Sequence, residues 1–269
     1  MLIVLNQQFL AKIMEMKEFV ESIILEAGDI LEKRFREAVN VEVKGDRDLV
    51  TSVDREIEAF LTCKIQEKYP NHSILGEESG KSGQSDKMWT IDPIDGTKNF
   101  VTRTPVFNIA IAYLENNKPV LGFVYNPIMK ELFYAEKNKG AFLNGEQICV
   151  SKKDKLIESS VYFCRGLTDE AIKRSTKYYS VLAPKTLSLR QFGSAQLELC
   201  YVASGRIEAF YVNNFSIWDI TAGWLIVEEA GGKVTDFKGA PMTSNSNDLL
   251  ASNGKIHDVL LENLDASGI

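Results

Sequence analysis

Trp89-Thr90-Ile91-Asp92-Pro93-Ile94-Asp95-Gly96-Thr97 is an apolar run that ends in two carboxylates and a glycine. Read as a buried strand entering a turn, it delivers Asp92 and Asp95 at the strand's end. Gly96 then lets the backbone approach an anion closely, and a helix starting at Thr97 leaves amide donors unpaired. A phosphate and a cation can meet at such a corner. Asp-Pro and Asp-Gly pairs also build ordinary turns, so the segment alone has a purely structural reading.

Two other segments repeat the pattern. Ile74-Leu75-Gly76-Glu77-Glu78-Ser79 reads as a second strand ending in acids, and Ser216-Ile217-Trp218-Asp219-Ile220-Thr221 places an acid at the entry to an apolar helix. The competing reading of Asp219 is a helix N-cap. If Glu77, Asp92, Asp95 and Asp219 converge, their repulsion calls for cations, and oxygen donors suit Mg²⁺. Two ions roughly 4 Å apart can activate a water, neutralise a phosphate and stabilise a leaving alkoxide. A covalent aspartyl-phosphate route calls for two aspartates one residue apart, whereas two residues separate Asp92 from Asp95.

The rest of the chain frames these segments as layered α/β. Apolar residues at spacings of three and four (Phe19, Val20, Ile23, Ile24, Ala27, Ile30, Leu31) predict a helix over 10–35. A capping box at Thr51 to Asp54 opens a second helix with the stripe Val53, Ile57, Phe60, Leu61 and Ile65, which Tyr69-Pro70-Asn71 ends. Strands are expected over 73–75, 89–91, 107–113, 120–125 and 132–135, with a hairpin turn at Asn144-Gly145. Helices over 168–179, 194–203 and 219–230 then alternate with strands near Val161, 209–212 and Val234, and Gly231-Gly232 is a helix stop. With no internal repeat or low-complexity linker, a boundary near residue 150 separates two packed subdomains.

Composition narrows the function. The 269 residues, 45% hydrophobic and 25% charged, suit a globular enzyme or binding domain. Thirty-one basic against 37 acidic side chains give a net charge of −6, which disfavours nucleic acid as a partner. Cys63, Cys149, Cys164 and Cys200 lack any CxxC spacing and read as reduced core residues; with only His72 and His257 beside them, a zinc site is disfavoured. Residues 1–5 are too short for a signal core and no run reaches membrane-spanning length, so a cytoplasmic location is expected.

Gly76-Glu77-Glu78-Ser79, Asp92-Pro93-Ile94-Asp95-Gly96-Thr97 and Trp218-Asp219-Ile220-Thr221-Ala222-Gly223 resemble, in order and separation, the three motifs of the inositol monophosphatase family. The resemblance runs from about Met16 and includes 44–54, Gly193-Ser194-Ala195 and Glu229-Ala230-Gly231-Gly232. It implies the αβαβα sandwich shared with fructose-1,6-bisphosphatases, usually as a homodimer, with residues 1–15 an extension, 16–150 an α+β subdomain holding most metal ligands and 151–269 an α/β subdomain. It also implies two or three Mg²⁺ ions: Glu77, Asp92 and the Ile94 carbonyl on one, and Asp92, Asp95 and Asp219 on a second. Thr97, backed by Asp54, would orient the attacking water, with Glu77 as the water's other partner. Phosphate would rest on the Gly96 and Thr97 amides, and substrate hydroxyls near Asp95, Ser194, Ala195 and Asp219. Ser194 also stands where an N-cap would.

The implied activity is hydrolysis of a small phosphorylated polyol or sugar, inositol-1-phosphate first. Fructose-1,6-bisphosphate, histidinol phosphate and nucleotide 3′-phosphates are alternatives, as is an added protein-binding regulatory role. One departure bears on the choice. Seven residues before Asp219, where animal members carry a glutamate that meets the inositol hydroxyls, this chain has Val212.

Overall fold

The computed structural model describes residues 2–38, 40–45 and 47–265, with only the backbone of 2–12 and 265. Met1 in the expected extension, Val39 in the expected 16–150 subdomain, Asp46 in the 44–54 match and 266–269 in the last subdomain lie outside the described residues. In chain order the elements are α1 (Leu2–Phe35), β1 (Val41–Gly45), β2 (Asp48–Thr51), α2 (Ser52–Lys68), β3 (Ser73–Gly76), β4 (Gly80–Ser82), β5 (Lys87–Asp95), α3 (Thr97–Val101), β6 (Asn108–Glu115), β7 (Lys118–Asn126), β8 (Glu131–Glu136), β9 (Gly140–Leu143) and β10 (Glu146–Ile148). There follow β11 (Ser160–Cys164), α4 (Asp169–Leu182), β12 (Ser188–Arg190), α5 (Ala195–Ala203), β13 (Ala209–Asn213), α6 (Thr221–Glu229), β14 (Lys233–Thr235), β15 (Asp248–Ser252) and α7 (His257–Asp265).

These elements stack in five layers. α1 and α2 bury their apolar stripes on one face of an eight-stranded sheet ordered β10-β9-β8-β7-β6-β5-β3-β4, through Val20, Ile24, Ile57 and Leu61 against Ile91, Ile109, Ile111 and Phe123. The alternate residues of the same strands, Ala110, Ala112 and Val124, face α5 and α6. Beyond these two helices lies a five-stranded sheet, β12-β11-β13-β15-β14, whose Phe210, Val212, Leu249 and Ala251 close the same core. Its far face packs Val161, Tyr211 and Leu250 on Tyr178 and Leu182 of α4 and Leu260 of α7. Period-two alternation in β6 and β13 thus sends successive residues into different cores.

Several local expectations are met and several are corrected. The capping box of α2 is present, with Thr51 and Asp54 bonding reciprocally. Asn144 and Gly145, with φ of 50° and 84°, form the two-residue turn between β9 and β10. The strand carrying the paired aspartates does not stop at Ile91: it continues to Asp95 through a register shift between Asp92 and Asp95. Pro93 has no N–H to give a ladder, which suits a bulge. The first helix begins well before residue 10. Cys63 and Cys149 are exposed and Cys164 half-buried, so only Cys200 is the core residue expected; all four are free.

Candidate active site

A cavity of about 530 Å³ opens at the C-terminal ends of β3, β5, β11 and β13, and Glu77, Asp92, Ile94, Asp95, Gly96, Thr97, Ala195 and Asp219 all line it. Its position follows the general preference of α/β sheets for ligands beyond the carboxyl ends of strands. Three separate segments therefore do meet. Asp54 and Ser194 stand behind the wall, both buried.

Each acid is placed by its neighbours. Glu77 follows β3 in a turn pinned by Glu58 of α2, whose carboxylate accepts the Glu78 and Ser79 amides at 2.8 and 2.7 Å. Gly76 makes that approach possible, because a Cβ there would lie 2.5 Å from the Glu58 carboxyl. Lys44 reaches over from β1 to Glu77, at 3.2 Å, and to Glu78. Asp95 is held by four donors: Ala195 N on Oδ1 at 3.0 Å, and Gln196 N, Ser194 Oγ and Asn108 Nδ2 on Oδ2 at 2.8, 2.9 and 2.7 Å.

Asp219 ends a single 3₁₀ turn, Ile217–Asp219, and accepts the Ser216 amide at 2.7 Å. It is not the N-cap of α6; Ile220 occupies that position and offers no side-chain acceptor. Ser194 stands at the N-cap position of α5 but makes no cap bond, its hydroxyl being turned to Asp95.

Gly96, with φ of 93°, turns the chain from β5 into α3, and a Cβ there would meet the Val106 carbonyl at 2.9 Å. The turn brings the Thr97 hydroxyl to Asp54 Oδ1 at 3.2 Å and to the Ile94 carbonyl at 3.0 Å. Asp54 serves two ends at once, since its Oδ2 accepts the Thr51 amide and hydroxyl. Val212 lines the cavity, flanked across the sheet by Cys164 and Leu249.

The electrostatics of the floor are those of crowded carboxyls in the protein alone. Burial, then the charges of Glu77 and Asp95, pushes Asp92 well above the carboxylate range. Burial raises Glu77 to about 7 against the pull of Lys44, and Asp219 to about 8 against the Ser216 amide. Burial also raises Asp95 despite its four donors. Nearby, Cys164 donates to Glu198 at 3.0 Å, and burial, with the Glu198 charge adding to it, pushes that thiol far up.

Among the described residues no three Asp, Glu, His or Cys side chains are set as an assembled metal-binding group. The acids are turned instead onto Lys44, the Ser216 amide and the start of α5. The donor chemistry nonetheless fits a hard divalent ion. The floor offers oxygen alone, and Asp92 Oδ1 is buried without any hydrogen-bond donor. A carboxylate oxygen left so is costly unless a cation or a proton meets it.

Three supporting residues were not singled out from sequence: Glu58, Asn108 and Gln196. Glu58 had a signal, since it falls four residues after Asp54 on the buried side of α2 and is itself flanked by Ile57 and Leu61.

Comparison with known proteins identifies the family. The sequence profile of the inositol monophosphatase family matches residues 12–268. The chain is 39% identical over 250 residues to a fructose-1,6-bisphosphatase/inositol-1-monophosphatase of Thermotoga maritima, covering 93% of this chain and 95% of that one. It is 35% identical to the Nus factor SuhB of Salmonella typhimurium, over 88% and 91% of the two chains. The crystal structure of the extragenic suppressor protein suhB from Bartonella henselae superposes with a TM-score of 0.90 at 33% identity, over 95% of this chain and all of that one. On profile, sequence and fold together, the chain belongs to the inositol monophosphatase family and is a phosphate-ester hydrolase of that metal-dependent group.

Proposed function

We propose that the chain hydrolyses the phosphate monoester of a small polyol or sugar, inositol-1-phosphate first, in the cavity floored by Glu77, Asp92, Asp95 and Asp219. The observation that carries this reading is the donor-free Asp92 Oδ1, buried among acids that burial and mutual repulsion hold above their ordinary range. Glu77, Asp92 and the Ile94 carbonyl would hold one Mg²⁺, and Asp92, Asp95 and Asp219 a second. Bound there, the ions supply Lewis-acid polarisation of the phosphate and a more acidic water.

The chain's own groups do the rest. Thr97, steadied by Asp54 and the Ile94 carbonyl, keeps a hydroxyl lone pair for the attacking water, and Glu77 takes the water's other side. The Gly96 and Thr97 amides receive the phosphate. Substrate hydroxyls meet Asp95, Asp219 and Ala195 at the cavity wall, while Ser194 acts from behind by fixing Asp95.

Val212 presents only methyl groups where a carboxylate would accept hydrogen bonds from inositol, which supports a range of small phosphomonoesters over strict selectivity. Phosphate release from inositol-1-phosphate, fructose-1,6-bisphosphate, histidinol phosphate and a nucleotide 3′-phosphate, each with Mg²⁺, tests the reading; turnover of at least one supports it. The name of the Salmonella relative favours a second reading, an added protein-binding regulatory role, to which silence on all four substrates would point. The same proposal takes the chain as a cytoplasmic homodimer of two subdomains meeting near residue 150; among the described residues no helix is long and apolar enough to cross a membrane.

A further inference from the structure

Asp95 and Asp219 reach the cavity from unconnected segments, one ending β5 and the other preceding α6, and one residue braces both, Asp95 through its backbone amide and the Asp219 segment through its side chain. The Gln196 amide N–H donates to Asp95 Oδ2 at 2.8 Å. Its side-chain Nε2 donates to the carbonyl of Trp218, the residue before Asp219, at 2.7 Å. Its Oε1 accepts the Gly223 amide at 2.7 Å.

The last contact caps α6 from outside. The first turn of a helix leaves backbone amides without partners, and Ile220, at the N-cap, has no side-chain acceptor to meet them. Gln196 supplies that acceptor from α5. Its orientation is fixed, because a flipped amide would set NH₂ against an N–H and oxygen against a carbonyl. Gln196 is fully buried, and Gly223 admits it closely: a Cβ at 223 would lie 2.6 Å from Leu199 and 2.9 Å from Gln196 Oε1. No other residue bonds both to Asp95 and to the backbone on either side of Asp219 among the hydrogen bonds of the described residues.

We infer that Gln196 is a positioning residue: it sets the separation of Asp95 from Asp219 and thereby the cavity's affinity for a divalent cation. The inference rests on the reading above that these two acids hold Mg²⁺. Loss of an outer partner of a metal-binding carboxylate commonly weakens metal affinity 10- to 100-fold.

The test is calorimetric titration of the stripped full-length protein with Mg²⁺, well below every variant's melting temperature. Gln196→Met keeps the volume and removes both side-chain bonds. Gln196→Leu likewise removes both side-chain bonds and serves if the methionine variant fails to fold. Leu197→Ala is the control, because it loosens α5 in the core without touching the amide.

The expected result is a Kd for Mg²⁺ raised about tenfold or more in the Gln196 variants, near-wild-type in Leu197→Ala, with substrate KM at saturating Mg²⁺ within about twofold. Wild-type Mg²⁺ affinity in the Gln196 variants, or an equal loss in Leu197→Ala, overturns the inference while leaving the proposed site intact. A wild-type protein that binds no Mg²⁺ at millimolar concentration overturns both.

Discussion

The Thr97 hydroxyl lies 3.2 Å from Asp54 Oδ1, so the first turn of α3 is tied to the first turn of α2 behind the cavity wall. Asp54 can hold this bond because its other oxygen is already engaged in its own capping box. One acid therefore steadies a helix and aims a hydroxyl.

Removing the hydroxyl at constant shape separates those duties. Thr97→Val is expected to lower kcat by roughly 10²-fold or more, with KM changed only a few-fold, if the hydroxyl positions the attacking water. Thr97→Ser should retain most of the activity, and both should melt near the wild type, since the α2 capping box is untouched. Steady-state kinetics beside thermal melts check this; equal kcat in Thr97→Val and wild type would count against the role.

His257 sets an acid limit on stability at the other end of the molecule. It is buried, with Nε2 at 2.9 Å from Thr235 Oγ1 and Nδ1 at 2.8 Å from Ser252 Oγ. Thr235 Oγ1 already donates to the Asp236 carbonyl, so it accepts from Nε2–H, and Ser252 donates to Nδ1. The ring is thus satisfied as the neutral species. Burial, with Lys233 adding to it and Asp258 opposing, lowers its pKa to about 4. Between the ordinary 6.5 and about 4 the unfolded chain binds a proton that the folded one does not, so stability falls as pH drops through that window. The full effect is on the order of 3 kcal/mol. The raised carboxyls of the cavity act with the opposite sign in wild type and variant alike. The difference in urea midpoints between wild type and His257→Gln therefore isolates the histidine: it should narrow from pH 7.5 to pH 4.5, and a constant difference would contradict this.

Val212 is open to a test of specificity because its strand neighbours point elsewhere. Tyr211 packs with Phe163 and Tyr178 on the opposite face, and Asn213 donates to Ser175. Neither crowds a longer side chain at 212. Val212→Glu is expected to raise kcat/KM for inositol-1-phosphate relative to a non-inositol ester by about tenfold, within the roughly 1 to 3 kcal/mol of one such contact. If the wild type already prefers inositol-1-phosphate by a hundredfold, a gap of about 2.7 kcal/mol, position 212 does not govern the choice.

Much of the site is local chemistry and so was legible in the sequence. The capping box at Thr51 to Asp54, the acids after two apolar runs and the turn at Gly96 are short-range patterns, and the structure places the acids and the turn on one cavity with the capping box behind its wall. What escaped depends on partners distant in the chain. Gln196 matters through Trp218 and Gly223, 22 and 27 residues away, and Ser194 turns from helix capping to Asp95, 99 residues away. β15, with only three aliphatic residues, Leu249 to Ala251, and α7 carry periods too short to declare themselves. Asp219 kept its expected place but not its capping duty, because one 3₁₀ turn intervenes before α6.

The central claim is that the acids around Asp92 act by holding a divalent cation against a phosphate. Asp92 contributes the one buried oxygen of the four acids that no protein donor meets, so removing its charge should strike hardest. The most direct measurement is phosphate release from inositol-1-phosphate by wild type and Asp92→Asn, stripped with chelator and then titrated with Mg²⁺. The wild type should be silent in excess chelator and recover with Mg²⁺, and Asp92→Asn should stay slower by about 10³-fold or more at every Mg²⁺ concentration. Undiminished hydrolysis in excess chelator, or wild-type Mg²⁺ dependence in Asp92→Asn, would contradict the claim.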